Sequence, residues 1–198
     1  MTPEGTWTIA QAKTMAGTPY SGTVQISRTG SVYQIFWLGD RINFSGLGFY
    51  HDNRLCIGWG LDSSFRVVVY RIHRDGTLEG QWTTPQLFPE FGTEQATSAP
   101  SQEVGGLYQV SGTYPKKQPP YTTSLAIGRK EQIYQLTSSG SPKLQGIGLR
   151  SDDWLVTNWG YDGKFGVMVY EIDRDTAEGR WTRPGTTQVA IEKLSKIC

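Results

Sequence analysis

Leu55-Cys56-Ile57-Gly58-Trp59-Gly60 runs through Leu61-Asp62-Ser63-Ser64 into Phe65 and Val67-Val68-Val69-Tyr70-Arg71-Ile72-His73-Arg74-Asp75, then closes on Glu79-Gly80-Gln81-Trp82-Thr83. About one hundred residues later the pattern returns as Leu155-Val156-Thr157-Asn158-Trp159-Gly160, Tyr161-Asp162-Gly163-Lys164-Phe165, Val167-Met168-Val169-Tyr170-Glu171-Ile172-Asp173-Arg174-Asp175 and Glu178-Gly179-Arg180-Trp181-Thr182. The chain therefore contains one pattern twice. Solenoid and propeller units run about 20 to 50 residues, so a unit of this length is a small domain or half-domain. Two copies in 198 residues divide the chain into residues 1–98 and 104–198, with a proline-bearing connection over 85–105.

Working outward, each copy reads as short strands separated by turns. Val24 and Ile26 alternate with Thr23, Gln25 and Ser27, and Leu125 and Ile127 with Ser124 and Ala126, the period-two signature of a half-buried strand. Thr29-Gly30 turns the chain into Val32 to Leu38, where Tyr33, Ile35 and Trp37 share one face and Val32, Gln34 and Phe36 the other. Both faces are partly apolar, which predicts a second layer over the outside. Alternating glycines in Ser45-Gly46-Leu47-Gly48 and Gln145-Gly146-Ile147-Gly148 predict close approach of a ring, with Trp59 and Trp159 as the natural occupants. Asp62-Ser63-Ser64 and Asp162-Gly163-Lys164 read as hairpin turns. Gly92 to Thr97 and Thr186 to Leu194 each add one further short strand. The fold class is all-β: two tandem repeats of an antiparallel up-and-down meander, about seven or eight strands each. Such a meander hides its edges by closing into a barrel. Either each unit closes alone, or the copies pair into one pseudo-symmetric β structure.

Composition agrees with this reading. There are 24 glycines, 10 prolines, 7 tryptophans and 10 tyrosines against 3 methionines, which suits strands and tight turns. A net charge of +1 removes the case for a nucleic-acid footprint or a polybasic membrane anchor. No apolar run reaches the length of a membrane span. The first residues lack a basic segment followed by an apolar one, as expected of a cytoplasmic protein or of an exported one supplied without its leader. Cys56 lies in an apolar strand pattern and Cys198 is the last residue, so a buried thiol and a terminal one are expected.

Gly5-Thr6-Trp7 on a first strand before a meander resembles the Gly-x-Trp opening of the calycins, the group of lipocalins, fatty-acid-binding proteins and avidins. Glu79-Gly80-Gln81-Trp82 and Glu178-Gly179-Arg180-Trp181 are similar to the glycine-aromatic strands of avidin-like barrels. Tyr20-Ser21-Gly22-Thr23-Val24-Gln25-Ile26 with the Gly-Trp-Gly strand also resembles a class of bacterial proteins built on these two motifs. Copy two departs from the opening motif, with Tyr108 in place of tryptophan. The resemblance implies a barrel fold and a habit of binding small molecules. It assigns no ligand-binding residue.

Chemistry-bearing motifs are sparse. There is no phosphate-binding loop, dinucleotide fingerprint, nucleophile elbow or zinc spacing. His51 and His73 read as surface residues at strand ends. The repeated carboxylates Asp62 and Asp162, and Asp75 and Asp175, fall at turns, where a side-chain oxygen satisfies local N–H groups. Glu79 and Glu178 sit on strands facing a neighbour. No catalytic residue, metal ligand or cofactor is called for. The recurrent aromatics carry more: Trp59, Trp159, Tyr70, Tyr170 and Trp37, with Gln34 and Gln135 as polar neighbours, form the candidate ligand-binding set. The competing reading is that these rings fill a narrow barrel. The expected function is a non-catalytic binding module for a small, largely apolar molecule. Alternatives are a bivalent glycan-binding protein and a structural or protein-interaction domain.

Overall fold

In the computed structural model, which describes residues 2–40, 42–98, 103–116, 118–139 and 144–197, the chain is all-β, and no helix occurs among the described residues. Cys198 and part of the predicted connection between the copies lie outside the described residues. The sixteen strands are β1 (Gly5–Ala12), β2 (Thr23–Thr29), β3 (Val32–Leu38), β4 (Asn43–His51), β5 (Arg54–Gly60), β6 (Phe65–Ile72), β7 (Leu78–Thr83), β8 (Gly92–Thr97), β9 (Gly106–Thr113), β10 (Tyr121–Lys130), β11 (Ile133–Ser138), β12 (Gln145–Ser151), β13 (Trp154–Gly160), β14 (Phe165–Asp173), β15 (Thr176–Thr182) and β16 (Ala190–Lys196). Each sequence copy thus supplies eight strands.

They form two closed antiparallel barrels. Barrel one runs β1-β16-β15-β14-β5-β4-β3-β2 and barrel two β10-β11-β12-β13-β6-β7-β8-β9. The barrels do not follow the sequence copies. Barrel one takes β1–β5 from copy one and β14–β16 from copy two, and barrel two takes β9–β13 with β6–β8. The boundaries 1–98 and 104–198 describe the repeats; each barrel draws strands from both.

The turns expected at Asp62-Ser63-Ser64 and Asp162-Gly163-Lys164 consequently are not hairpins. β5 pairs with β14, with Trp59 opposite Gly166, and β13 pairs with β6, with Trp159 opposite Arg66. Turn chemistry is nevertheless present: Asp62 Oδ1 accepts the Ser64 N–H at 2.9 Å, and Asp162 and Gly163 have positive φ. Local residues dictate that the chain reverses. They do not dictate which strand it pairs with afterwards. The two crossovers touch, Leu61 N–H donating to the Lys164 carbonyl at 2.9 Å.

Alternation places one side-chain set inside each barrel. Trp7, Val24, Ile35, Trp37, Leu55, Ile57, Trp59, Met168 and Tyr170 fill barrel one. Val68, Tyr70, Leu78, Trp82, Tyr108, Leu125, Leu136, Leu155 and Trp159 fill barrel two. The second apolar face forms a third core between the barrels, including Val32, Leu47, Phe49, Cys56, Val67, Val69, Ile147, Leu149, Val156, Val167 and Val169. Each such buried aliphatic or aromatic side chain contributes about 1.5–3 kcal/mol. The layer predicted over β3 is thus the other barrel, and it covers Val32. Phe36 and Leu38 remain more than one-third exposed. Cys56 is free and fully buried here, and burial pushes its thiol up to about 12.

The barrels are in close contact where Gly58 faces Asn158. A Cβ on Gly58 would lie 2.6 Å from the Val67 Cβ and 2.8 Å from the Asn158 side chain, so only glycine fits. Asn158, at the matching position of copy two, is fully buried. Its amide donates to the Trp59 carbonyl at 2.9 Å and the Gly166 carbonyl at 2.8 Å, and its oxygen accepts the Trp159 N–H at 3.1 Å. One side chain thus ties a strand of barrel two to two adjacent strands of barrel one. At the edge of the contact His51 stacks on Trp154, with ring centroids 4.3 Å apart, and the Trp154 indole N–H donates to Asp52 at 3.0 Å. His51 is therefore half-buried rather than a free surface residue, and desolvation lowers its pKa.

Replacing Asn158 with alanine leaves a hole and removes both interbarrel donors. A loss of about 3 kcal/mol in unfolding free energy is expected by urea titration. A loss below about 1 kcal/mol would show that the asparagine does not hold the barrels together.

Candidate functional site

The interior of each barrel converges on one buried carboxylate. Gly80 lies opposite Glu94 across β7 and β8, and Gly179 lies opposite Glu192 across β15 and β16, so the two glutamates are matched positions of the repeat. In barrel one the Tyr20 hydroxyl donates to Glu192 at 2.6 Å and the Trp37 indole N–H at 3.1 Å, and the Tyr170 hydroxyl donates as well. In barrel two Glu94 accepts from the Tyr70 and Tyr121 hydroxyls and forms an ion pair with Arg66, whose guanidinium also donates to the Tyr121 oxygen at 2.6 Å. Tyr170 matches Tyr70, and Tyr20 matches Tyr121.

The hubs differ in their last donor. Trp37 of β3 supplies it in barrel one, where the matching residue of barrel two is Ser138. Arg66 of β6 supplies it in barrel two, where the matching residue of barrel one is Gly166. These differences compensate each other in volume. Without a side chain at Gly166, the Trp59 ring leans over that strand, and a Cβ at Gly166 would lie 2.4 Å from it. Where Arg66 takes that space, Trp159 lies instead over Gly146, whose Cβ would come within 2.9 Å of the indole. In barrel one the would-be Cβ of the matching Gly46 meets Ile57 Cγ2 at 2.7 Å and the Gly58 carbonyl at 2.9 Å, with the Trp37 ring next at 3.1 Å. Trp159 is thus the expected occupant beside its glycine, whereas Ile57 and Trp37 together take the place expected of Trp59.

Electrostatics follow from the same substitution. Glu192 has neutral donors only, and burial raises its carboxyl above its ordinary value against the opposing pull of the Tyr170, Tyr20 and Trp37 hydrogen bonds. Burial and the adjacent glutamate raise the Tyr170 and Tyr70 hydroxyls well above the usual tyrosine range. In barrel two the Arg66 guanidinium lies 4.1 Å from the Trp82 ring centroid and 5.5 Å from that of Tyr121, a cation held between two aromatic faces.

In barrel one Trp37 is fully buried and stacks on Phe44 at 4.7 Å, and Phe44 lies 4.9 Å from Trp59. Barrel two carries Ser138 and Leu144 at the positions of Trp37 and Phe44. There a cavity of 60 Å³ opens, lined by Arg66, Tyr70, Glu94, Val110, Thr123, Leu125, Ser138, Leu144 and Trp159. A larger open groove of 730 Å³ lies on the outside, between the β1–β2 loop, the start of β16 and Glu131-Gln132 of the other barrel.

Of the sequence-predicted set, Trp37, Trp59 and Tyr170 point into barrel one, and Tyr70 and Trp159 into barrel two. Gln34 and Gln135 do not join them. Each sits one residue out of step with the inward face of its strand and looks outward, Gln135 onto a groove of 200 Å³ shared with Pro184–Thr186. The binding set as proposed is therefore split by the pleat of β3 and β11. Glu94, Glu192, Tyr20, Tyr121 and Arg66 were missed. A signal existed for the glutamates: Glu94 and Ala96, like Glu192 and Leu194, are two residues apart and so share the inward face. Two of the four turn aspartates, Asp62 and Asp75, accept local N–H groups as read, Asp75 taking the Thr77 N–H at 2.9 Å, and that bond lowers its carboxyl pKa. Glu79 meets His73 at 3.2 Å and Glu178 meets Lys193 at 3.2 Å. Among the described residues no group of three or more histidines, cysteines or carboxylates is placed to hold a metal ion, and no helix is long and apolar enough to cross a membrane.

No known protein family, curated protein or solved structure matches this chain.

Two substitutions separate the hubs. A carboxyl with a raised folded-state value contributes fully below its unfolded value of 4.5 and loses that contribution as pH rises through the folded one. Wild-type stability should therefore fall relative to Glu192→Gln as pH is raised from 4 to 8 in thermal melts; a pH-independent gap would contradict the assignment. Glu94→Gln instead strands Arg66, a guanidinium partly open to solvent, and should cost about 2–4 kcal/mol at neutral pH.

Proposed function

We propose that the chain is a non-catalytic binding module in which barrel two receives the end of a small, largely apolar ligand and barrel one is its filled partner. The observation that carries this reading is the pair Ser138 and Leu144. They stand where Trp37 and Phe44 close barrel one, and the space they leave adjoins Arg66 and Glu94. Apolar walls from Val110, Leu125, Leu144 and Trp159 with a few convergent polar groups have the make-up of a small-molecule site. Drug-sized sites run about 300–1,000 Å³, so a cavity of 60 Å³ takes only a terminal group of the ligand. The remainder lies across the mouth, beside Tyr121 and the exposed Tyr114. The closed barrels agree with this assignment.

A second reading, a glycan lying over the same mouth, draws on the aromatic cluster there. Tyr114 is 38% exposed and meets Trp82 edge-on at 5.4 Å and Tyr121 at 5.0 Å. Exposed rings of this kind provide stacking faces for sugars. The protein-interaction reading has lost its main support, because the second apolar strand face is largely used between the barrels.

Native mass spectrometry of the full chain purified from its own host, beside Ser138→Val, tests the proposal. Valine puts two methyl groups into the cavity. A stoichiometric adduct on the wild type that the variant loses is the expected result. An unadorned wild-type mass, together with no hit on a glycan array, would overturn both readings.

A further inference from the structure

Two topologies compete for this chain, because the copies are alike. In a tandem arrangement β5 would turn back through Leu61–Ser64 to pair with β6, and β13 through Tyr161–Lys164 with β14. Each copy would then close by itself with the same kinds of ladder. Backbone pairing cannot separate this from the exchanged arrangement. We propose that Trp37, Arg66, Ser138 and Gly166 make the selection, as two matched pairs of large and small residues that fit only when the strands are exchanged.

The argument is one of volume and hydrogen bonding. In the exchanged fold Trp59 lies opposite Gly166 and Trp159 opposite Arg66. Barrel one then combines Trp37 with Gly166, and barrel two combines Ser138 with Arg66. In the tandem fold copy one would combine Trp37 with Arg66 and copy two Ser138 with Gly166. The first of these is overfilled: Trp59 already occupies the space beside Gly166, 2.4 Å from where a Cβ would be, and Trp37, with Ile57, fills the space over Gly46 into which it could retreat. The second is underfilled. It would add the volume of the missing arginine to the gap already present beside Ser138 and Leu144. Glu192 would also lose the Trp37 N–H and gain no guanidinium in its place. A separate contact agrees: Asn158 bridges the carbonyls of Trp59 and Gly166, which are neighbours only in the exchanged fold. Overfilling or voids on this scale bias an equilibrium by about tenfold or more. Domain exchange of identical elements between chains is a familiar route to dimers, and here the same operation is completed within one chain.

Cysteine pairs in the full chain read the topology during refolding in a thiol–disulfide buffer, on a Cys56→Val, Cys198→Ser background that removes both native thiols. Arg54 and Glu171 lie directly opposite across β5 and β14, so Arg54→Cys with Glu171→Cys reports the exchanged fold. Arg54→Cys with Arg71→Cys reports the tandem one, since a bridge needs Cα atoms within about 7 Å. Wild-type side chains at the four positions should form the 54–171 bridge in about tenfold excess. Interchanging one pair, Trp37→Ser with Ser138→Trp, reverses the fit and should shift bridging to 54–71. Interchanging the second pair as well, Arg66→Gly with Gly166→Arg, restores the fit and should restore the 54–171 bridge. A single interchange that still gives only the 54–171 bridge, with unaltered melting temperature, would overturn the proposal. If the single interchange does not fold, recovery in the quadruple variant supports it, and failure to recover overturns it.

Discussion

Everything in the molecule depends on β5 and β13 pairing with strands of the other copy. That pairing brings the outer face of barrel one against the outer face of barrel two, because each crossover carries the chain directly from one to the other. It explains why so many strands are apolar on both faces: one face lines a barrel and the other lies between barrels. It also fixes where glycine is obligatory. Where Gly58 meets the other barrel there is room for one side chain, and Asn158 occupies it while Gly58 yields. The asymmetry of that pair breaks an otherwise two-fold relation and converts a packing contact into a hydrogen-bonded one.

The barrel interiors solve one problem in two ways. A carboxylate inside a barrel must find donors, since burying it unpaired is prohibitively costly. Two tyrosines serve in both barrels, and the remaining donor is an indole in one and a guanidinium in the other. Each choice dictates the next, because Trp37 takes the room of a neighbouring side chain and Arg66 takes the room of a neighbouring ring. Barrel two consequently keeps an ion pair and a small cavity, while Trp37 and Phe44 close the matching place in barrel one. If either interior has room for something foreign, the residues that create it are Ser138 and Leu144.

Much of this was legible in the residues. The period-two alternation of β2, β3 and β10, the glycine punctuation of β4 and β12 and the extra strand near Gly92 read correctly, since each reports a local geometry, whereas the strand expected from Thr186 begins only at Ala190. The aromatic positions also read correctly as inward. The glutamate hubs were less visible, because a lone carboxylate in a polar strand looks like a solvated one until its partners arrive from distant elements, β6 and β10 for Glu94, and β3, β14 and the β1–β2 loop for Glu192. Gln34 shows the opposite error. Proximity in sequence to Trp37 suggested a shared site, although three residues along a strand put the two side chains on opposite faces.

The sequence by itself determined the repeat, the sixteen-strand inventory in outline, the all-β class and the turn at Asp62 and Asp162. Those are consequences of side-chain period and backbone preference over a few residues. Only the tertiary structure decided that the turns are crossovers, that the barrels exchange three strands and that Glu94 and Glu192 sit at their centres. The reason is physical: when two copies of a pattern share one chain, local signals are equally satisfied by either partner. The choice between partners then falls to volumes and hydrogen bonds that exist only once distant strands have met.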